Sequence, residues 1–513
     1  MSALILAHDL GTSGNKATLY DPSGSLVASC LAEYPTYYPR SGWAEQDAED
    51  WWAAVCASTR GLLEVAGAAP GDVACVCFSA QMMGCLLVDR AGAPLHRMLT
   101  WADTRAGEQE AEMIRAVGAE AGYRVIGHRV SASYGAAKLL WIKAHAPEVY
   151  RRAYKMLNAK DFIIHRLTGR FLTDYSDASG TNLLDLEGKT WSQALIDAWG
   201  VRADLLPELV PSSAVAGGVT DAAAAATGLL PGTPVVVGGG DGSCACVGAG
   251  VTAAGRAYNV LGSSSWISLA SSHPRFDPEM RCFNWVHLDE GLYTPCGTMQ
   301  AAGLSYHWLR QTLGAEEAER ARAAGESAYA LLNRRAEASP PGARGLVYLP
   351  YLLGERSPRW NHSARGAYVG VNIATTKDDF VRATLEGVGM NLKLILDLLE
   401  GGDPLPEITV IGGGAQGGTW LQILADIWQR PLAVPAYLKE ATSLGAAVCG
   451  GVGVGLYPDF SVAGRLNPAT RRVLPRPERA GLYREMMDLF ESAYQGLCPT
   501  YERLHAMSDI LEG

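Results

Sequence analysis

Three glycine-rich segments of this sequence have the residue types that bind phosphate groups. They are residues 11–14, 262–265 and 412–418. Glycine lets backbone N–H groups approach an anion, because no Cβ stands in the way and because positive φ values are accessible. Hydroxyl donors within the segments are Thr12, Ser263 and Ser264. Together the segments predict a polyphosphate site, although each one alone is equally well explained as a hairpin turn.

A fourth candidate is the carboxylate of Asp241, which follows the apolar run Val235–Val237 and three glycines. One interpretation is an N-cap, in which the carboxylate accepts hydrogen bonds from the first amides of a helix. The other is a carboxylate at the carboxyl end of a strand, where α/β proteins place ligands, able to accept a proton from a hydroxyl group. The residues themselves leave both interpretations open.

Two nucleotide motifs are excluded by their spacing. Residues 188–190 (GKT) lack the glycine that a P-loop needs five residues earlier, because Leu183 stands there. Residues 240–245 fit the G-x-G-x-x-A pattern of dinucleotide sites, which also need an acid about 20 residues later. No Asp or Glu occurs between Gly242 and Asp277. A nucleotide must therefore be bound in another way.

Composition and charge exclude further classes of protein. The 513 residues carry a formal net charge of −10 and are 48% hydrophobic and 19% charged, which excludes wholesale disorder. The acidic balance argues against a nucleic-acid-binding protein, whose partners require clustered Lys and Arg. No apolar run reaches the roughly 18–20 residues of a membrane span, and the apolar residues 2–7 are too few for a secretion signal. We expect a cytoplasmic protein whose eleven cysteines are reduced and mostly buried.

The sequence predicts both strands and helices around these residues. The N-terminus predicts a β-meander with strands at Leu4–Ala7, Lys16–Tyr20 and Leu26–Cys30, and Val73–Phe78 predicts another buried strand. Helical patterns occur at Gly107–Ala116, Ala137–Ala144, Asp221–Thr227 and Ala315–Ala324. Strands mixed with long helices predict an α/β protein.

A short internal repeat suggests that the fold is duplicated. The residues Leu-Gly-Thr-Ser at 10–13 recur as Leu-Gly-Ser-Ser at 261–264, close to half the chain length later. Both copies lie between residues that read as strands. The repeat predicts two similar halves that divide near Val251–Gly255.

Eight blocks of residues, in the same order along the chain, resemble those of the FGGY carbohydrate kinases. Within that family the sequence is most similar to the xylulokinases. The blocks are Asp9–Gly14 with Gly42–Trp52, Ser79–Gly84, Trp101–Arg105, Leu167–Thr181, Gly239–Gly242, Leu349–Arg356, Gly412–Gly414 and Ser443–Ala447.

The resemblance implies a fold and a reaction. The fold is α/β with two actin-like (ribonuclease H-like) domains and an active-site cleft between them. Residues 1–252 would bind the sugar and carry the catalytic Asp, and residues 253–513 would bind the nucleotide. The reaction is phosphorylation of a sugar hydroxyl by ATP with Mg²⁺. Sugar and ATP are then the partners, without nucleic acid or membrane, and the relatives imply a homodimer.

The resemblance also implies roles for individual residues. Asp241 would be the catalytic base and would contact the sugar, and Asp9 would organise Mg²⁺. The residues that would face the phosphates and the nucleotide are Gly11, Thr12, Ser13, Gly262, Ser263, Ser264, Gly413, Gly414 and Ala415. Those in the sugar-contact segment and the block after it are Gln81, Met82, Met83, Trp101 and Asp103.

Two of these residues also have structural explanations. Trp101 offers an apolar face and an N–H donor to a sugar, and Asp103 can accept hydroxyl protons. Without the resemblance, Trp101 is equally a core residue, and Asp103 is equally a partner for Arg105.

The sequence departs from the xylulokinase pattern at two positions. Met83 stands where those enzymes usually have His, and Gly242 stands where they usually have Asn. Both changes remove a polar contact of the kind that discriminates between hydroxyl patterns. D-Xylulose is the expected substrate, and another ketose, a pentitol or a tetritol is the alternative. An actin-fold ATP-binding sugar sensor without turnover is the alternative of a different class.

Overall fold

The structure is a computed structural model that describes residues 3–507; residues 1–2 and 508–513, which end the two predicted domains, lie outside the described part. The chain forms two compact units. Unit 1 contains residues 3–254, 270–295 and 440–468, and unit 2 contains residues 255–269, 296–439 and 469–507. Two segments that follow residue 252 in the sequence therefore group with unit 1.

The strands, in chain order, are β1 (Leu4–Leu10), β2 (Gly14–Tyr20), β3 (Leu26–Glu33), β4 (Glu45–Gln46), β5 (Val73–Ala80), β6 (Leu86–Val88), β7 (Met98–Leu99), β8 (Lys155–Leu157), β9 (Leu172–Asp174), β10 (Leu184–Asp185), β11 (Thr190–Trp191), β12 (Glu208–Val210), β13 (Val215–Gly218), β14 (Pro234–Val236), β15 (Gly239–Gly240), β16 (Ala257–Leu261), β17 (Ser265–Leu269), β18 (Phe283–Val286), β19 (Tyr293–Met299), β20 (Val347–Leu349), β21 (Ala367–Val369), β22 (Ile408–Ile411), β23 (Leu432–Pro435) and β24 (Ala469–Val473).

The α-helices are α1 (Ala48–Ala66), α2 (Gly107–Val117), α3 (Ala119–Ile126), α4 (Gly135–His145), α5 (Pro147–Arg152), α6 (Ala159–Thr168), α7 (Tyr175–Ser179), α8 (Gln193–Trp199), α9 (Asp221–Thr227), α10 (Asp241–Gly248), α11 (Gly303–Thr312), α12 (Ala315–Ala324), α13 (Ala328–Ala338), α14 (Lys377–Glu400), α15 (Gly418–Trp428), α16 (Ala441–Gly453), α17 (Ala463–Leu466) and α18 (Ala480–Ala506).

Unit 1 is built around one mixed sheet with the strand order β3-β2-β1-β5-β14-β13. The first three strands form the predicted antiparallel meander, β5 is parallel to β1, and β14 is parallel to β5. The short strand β15 pairs with the end of β5. The central strand β1 is apolar and almost wholly buried, as expected for a strand with both faces covered. Helix α1 packs on β2 and β3, and α16 packs on β1 and β5.

Unit 2 has a sheet in which β19, β17, β16, β22, β23 and β24 are successive neighbours. Strands β19, β17 and β16 are antiparallel, β22 and β23 continue parallel to β16, and β24 is an antiparallel edge. The long helix α14 packs against α15 and β20.

The two sheets share one topology. Each has three antiparallel strands, two strands parallel to the third, and an antiparallel strand after them. The repeated residues occupy equivalent places: residues 10–13 form the turn between β1 and β2, and residues 261–264 form the turn between β16 and β17. The predicted duplication and the α/β fold class are therefore confirmed.

Other sequence expectations can also be compared with the structure. The predicted helices at 107–116, 137–144, 221–227 and 315–324 coincide with α2, α4, α9 and α12 within a few residues. All eleven cysteines are free, and all except Cys30 and Cys498 are buried. Within residues 3–507, no helix combines the length and the apolar character needed to cross a bilayer.

Candidate active site

Three adjacent strands of the first sheet end in one row. Leu10 of β1, Ala80 of β5 and Gly240 of β15 are neighbours across the sheet. The residues that follow this row are Gly11, Gln81 and Asp241. Because neighbouring strands lie about 4.8 Å apart, one edge of the sheet brings together a predicted phosphate-loop residue, a predicted sugar-contact residue and the predicted base.

Asp241 is the first residue of helix α10, and Gly240 occupies the N-cap position. Its Oδ1 accepts a 2.7 Å hydrogen bond from the backbone N of Gly242. Within residues 3–507, Oδ2 accepts no hydrogen bond. The N-cap interpretation is therefore wrong, because Gly240 holds that position and no side chain caps the helix. The role of Asp241 as a proton acceptor stays a prediction.

The protonation of Asp241 is strongly perturbed. Burial, helped by the negative charge of Asp9 and opposed by the Gly242 amide, raises the pKa of Asp241 to about 7. A carboxylate with a pKa near neutrality is suited to accept a proton from a hydroxyl group.

Helix α10 is held in place by close backbone packing on α16. A Cβ added at Gly248 would lie 1.7 Å from the carbonyl oxygen of Ala441, and one at Gly445 would lie 1.9 Å from that of Cys244. Only glycine allows this approach at both positions. The packing explains why Gly445 belongs to one of the recognised sequence blocks.

Asp9 lies near the end of β1, between Lys16 of β2 and Ser79 of β5. The hydroxyl of Ser79 donates a 2.9 Å hydrogen bond to Asp9 Oδ1. Burial raises the pKa of Asp9, whereas the Ser79 hydrogen bond and the charge of Lys16 lower it. The negative charge of Asp9 also raises the pKa of Asp241, so the two carboxylates interact electrostatically.

The first predicted phosphate loop, residues 11–13, is fixed through its carbonyl groups. The hydroxyl of Tyr34 donates to Gly11 O, and Gln46 Nε2 donates to Thr12 O at 2.6 Å. The side chain of Ser13 is exposed. The amide of Gly11 is also engaged, because it donates to Gly14 O at 3.0 Å. An anion would therefore meet the amide and hydroxyl groups of Thr12 and Ser13.

Gln81 links the sugar-contact segment to this loop. Its Nε2 donates to Gln46 Oε1 at 2.6 Å, and Gln46 in turn donates to Thr12 O. Gln81 is only 3% exposed, yet its Oε1 has no hydrogen-bond partner. Gln46 lies in a recognised block, but the sequence gives it no role, because its bonds to Thr12 and Gln81 join residues 34 and 35 positions apart.

Met82 and Met83, the two residues after Gln81, differ in their packing and in their backbone conformation. Met82 packs on Gly240, where an added Cβ would lie 2.4 Å from its sulfur. Met83 has a φ of 64°, which few non-glycine residues adopt. Its carbonyl accepts a 2.9 Å hydrogen bond from Lys138 Nζ, and the wholly buried Lys138 also donates to Ser133 O. Lys138 therefore fixes the conformation of Met83.

Trp101 and Asp103 differ in their burial and in their hydrogen-bond partners. The partly exposed Trp101 donates a 3.0 Å hydrogen bond from Nε1 to Thr12 Oγ1. Asp103 is wholly buried, and its oxygens accept hydrogen bonds from Arg105 Nε at 2.9 Å and from Ala44 N at 2.8 Å. These contacts show that Asp103 stabilises the turn after Trp101, as the alternative from the sequence has it. A contact between Asp103 and a sugar stays a prediction.

The second phosphate loop lies in unit 2, in the turn between β16 and β17. The carbonyl of Ser263 accepts hydrogen bonds of 2.9 Å from the backbone N of Ala302 and of Leu304, at the start of α11. The side chains of Ser263 and Ser264 are exposed, and Gly262 N donates to Ser264 O at 3.1 Å. As in residues 11–13, the loop carbonyls are engaged and the hydroxyl groups are accessible.

The predicted nucleotide loop of unit 2 packs on the same strand end. A Cβ at Gly412 would lie 2.8 Å from Leu261 O, and one at Gly414 would lie 2.5 Å from Leu261 Cγ. A Cβ at Gly413 would meet no atom within 4 Å. Ala415 is buried, and its carbonyl accepts a hydrogen bond from Arg471. Unit 2 therefore brings its two predicted ligand loops together at Leu261.

Comparisons with known proteins bear on the family and the fold of this chain. Residues 4–248 match the N-terminal domain, and residues 257–454 the C-terminal domain, of the FGGY family of carbohydrate kinases. The chain is 30% identical to xylulose kinase of Bacillus subtilis over 96% of both chains, and 30% identical to gluconokinase of Bacillus licheniformis over 98% of both. The solved structure of a ligand-bound xylulose kinase from Lactobacillus acidophilus superposes with a TM-score of 0.91, at 28% identity, over 98% of this chain and 100% of that one.

Both halves of the chain match the family, the relatives align over nearly their whole length, and the two sheets have the duplicated topology that the sequence predicts. The chain belongs to the FGGY family of carbohydrate kinases.

Proposed function

We propose that this protein transfers the γ-phosphoryl group of ATP to a terminal hydroxyl group of a neutral ketopentose, and that D-xylulose is its best acceptor. The observation that supports the proposal most is that Gly11, Gln81 and Asp241 directly follow three strand ends that are neighbours across the sheet. A carboxylate with a pKa of about 7 stands at this edge beside an anion-binding loop.

Asp241 accepts the proton of the attacking hydroxyl group through Oδ2. Phosphoryl transfer requires mainly alignment and charge stabilisation from the protein, because there is little covalent chemistry for side chains to do. General base catalysis typically contributes 10²–10⁴-fold. In this proposal the acceptor is bound by the N-terminal domain, residues 1–252.

Each half of the chain has its own candidate groups for ATP. In the N-terminal domain, residues 11–13 would bind phosphate. In the C-terminal domain, residues 253–513, the loops 262–264 and 413–415 would bind the nucleotide. The free space at Gly413 leaves its backbone accessible to a nucleotide.

The carboxylates fit a divalent cation, which we propose to be Mg²⁺. Asp9 raises the pKa of Asp241, so two hard oxygen groups repel each other there and a cation would relieve the repulsion. No group of three or more His, Cys, Asp or Glu suited to a metal occurs within residues 3–507. Mg²⁺ typically takes one or two carboxylates and completes its shell with water and substrate phosphates. When bound, Mg²⁺ would neutralise phosphate charge beside Asp9.

The charges near the acceptor residues favour a neutral sugar over a sugar acid. The ammonium group of Lys138 donates hydrogen bonds to the carbonyls of Met83 and Ser133. Arg105 is engaged by Asp103 and by Glu45 at 2.7 Å. Because both cations already have acceptors, neither is available to pair with an acceptor carboxylate. The orphan Gln81 Oε1 instead suits a hydroxyl group, which can donate to it.

The test is a panel of acceptors measured by ADP release with Mg-ATP. It contains D-xylulose, other ketoses, pentitols, tetritols and gluconate. We expect D-xylulose to give the highest kcat/KM and gluconate to give at least tenfold less. A preference for gluconate would contradict the assignment of a neutral acceptor. Absence of turnover with every acceptor would instead indicate the sugar sensor.

A further inference from the structure

The backbone that carries Asp241 has little rigidity of its own. Three consecutive glycines, Gly238–Gly240, precede Asp241, and strand β15 pairs only with the end of β5. Gly238 lies between β14 and β15 and has a φ of 72°, which interrupts the extended backbone there. A Cβ added at Gly238 would lie 1.8 Å from Phe78 O. Because glycine has the largest conformational freedom, contacts from outside this strand must fix the direction of the carboxylate.

Ser176 of the short helix α7 supplies such a contact. Its Oγ accepts a 3.0 Å hydrogen bond from the backbone N of Gly240, the residue before Asp241. A Cβ added at Gly239 would lie 2.5 Å from Ser176 Oγ. The glycine backbone is therefore pressed directly against the serine hydroxyl on one side and paired with β5 on the other.

The orientation of the Ser176 hydroxyl is itself determined. Ser176 Oγ donates its proton to Asp174 Oδ2, and the backbone N of Ser176 donates to the same oxygen at 2.8 Å. A hydroxyl group that donates in one direction presents its lone pairs in others, which matches the position of the Gly240 amide. Asp174 and Ser176 are wholly buried, so water does not compete for these bonds.

Asp174 is in turn held by two further groups. Lys160 Nζ lies 2.9 Å from Asp174 Oδ1, and Ser212 Oγ donates a 2.8 Å hydrogen bond to Asp174 Oδ2. Lys160 also contacts Asp161 Oδ1 at 2.6 Å and Asp177 Oδ2 at 3.2 Å. Removing a member of this charged cluster would leave buried charges unpaired, so the two serines are the informative positions.

We propose that Ser176 is a positioning residue for Asp241. Its hydroxyl group, oriented by Asp174, holds the Gly240 amide and thereby aims the Asp241 carboxylate at the acceptor. The inference rests on the proposed function of Asp241 as the base. It assigns to the recognised block 167–181 a role in aligning the reaction.

Ser176→Ala and Ser212→Ala form a matched pair of variants. Each removes one buried hydroxyl group that donates to Asp174 Oδ2, but only Ser176 contacts Gly240. We expect Tm to decrease for both, and to decrease more for Ser176→Ala, which also leaves the Gly240 amide without its acceptor. Because a displacement of about 1 Å can cost roughly 10²-fold in rate, kcat of Ser176→Ala should fall by about 10- to 100-fold, with KM for ATP within about twofold of wild type. Ser212→Ala should keep more than about a third of the wild-type kcat.

Ser176→Cys provides a graded test that preserves the side-chain shape. A thiol is a weak hydrogen-bond acceptor, so kcat of Ser176→Cys should lie between those of wild type and Ser176→Ala. If the alanine variant proves too unstable to assay, we expect kcat of Ser176→Cys to lie below that of wild type. Wild-type kcat in either Ser176 variant would overturn the proposal, and so would equal losses of kcat in Ser176→Ala and Ser212→Ala.

Failure of this inference differs from failure of the proposed function. Inactive Asp241→Asn together with fully active Ser176→Ala refutes only the positioning role. Active Asp241→Asn refutes the assignment of the base itself.

Discussion

The indole Nε1 of Trp101 donates a 3.0 Å hydrogen bond to the hydroxyl oxygen of Thr12. A residue of the predicted acceptor site is thus bonded to a residue of the first phosphate loop, 89 positions away in the sequence. Because Thr12 Oγ1 accepts this bond, its own proton is free to point to another acceptor, such as a phosphate oxygen. The bond couples the acceptor side of unit 1 to its phosphate loop.

This coupling predicts non-additive effects in a double-mutant cycle of Trp101→Phe and Thr12→Val. Trp101→Phe keeps an apolar ring and removes the N–H donor, and Thr12→Val removes the hydroxyl group with little change in shape. The two changes should interact by about 1 kcal/mol in kcat/KM for the sugar, the usual contribution of one hydrogen bond. Additive effects within about 0.3 kcal/mol would show that the bond carries no coupling.

Gly413→Ala should weaken ATP binding without affecting the fold. The structure leaves space for the added methyl group, but the group would stand where the nucleotide approaches the loop. We expect KM for ATP to rise by at least about fivefold, with Tm and KM for the sugar unchanged. Gly496→Ala in α18 is the matched control, because its methyl group also meets no atom within 4 Å. An unchanged KM for ATP in Gly413→Ala would remove this loop from the nucleotide site.

Met83→His should shift acceptor preference towards D-xylulose. Histidine is tolerated better than most residues at positive φ, and its imidazole restores the polar group that xylulokinases usually have at this position. We expect kcat/KM for D-xylulose to rise by about three- to tenfold relative to the pentitols. Met83→Leu, which keeps an apolar side chain, should leave the ranking unchanged, and an identical ranking in both variants would exclude Met83 from acceptor selection.

The raised pKa of Asp241 predicts a pH-dependent gain in stability for Asp241→Asn. A carboxyl group with a folded-state pKa of about 7, above its value of 3.8 in the unfolded chain, favours folding while it is protonated. That contribution is complete below pH 3.8, is lost as the pH rises to about 7, and stays lost above pH 7. Asparagine avoids the loss and keeps the bond from Gly242 N.

Thermal unfolding at pH 5 and at pH 8 measures this effect. The difference in Tm between Asp241→Asn and wild type should be larger at pH 8 than at pH 5. Asp221→Asn, at the exposed start of α9, is the control for replacing an aspartate at a helix start. A gain for Asp241→Asn that is equal at both pH values would contradict the raised pKa.

Much of the scaffold could be predicted because its signals are local. The meander at Leu4–Ala7, Lys16–Tyr20 and Leu26–Cys30 follows from short apolar runs between turns, and all three runs lie in β1, β2 and β3. The Leu-Gly-Thr/Ser-Ser repeat marks equivalent turns, because the same loop connects the first two strands of each sheet.

Within the site, a local contact was among the alternatives that the sequence offered: Asp103 pairs with Arg105, two residues away.

Long-range contacts within the site could not be predicted. The link from Gln46 to Gln81 spans 35 residues, and that from Ser176 to Gly240 spans 64. Hydrogen bonds of this kind depend on how the strands and helices pack, and composition and spacing contain no signal for them.

The most direct test of the account is the turnover of Asp241→Asn with Mg-ATP and D-xylulose, measured beside ATP binding by calorimetry. We expect kcat to fall by about 10²–10⁴-fold, because the proton acceptor is lost, while the affinity for ATP stays within about threefold of wild type. Retention of more than about a tenth of the wild-type kcat would contradict the assignment of Asp241 as the base.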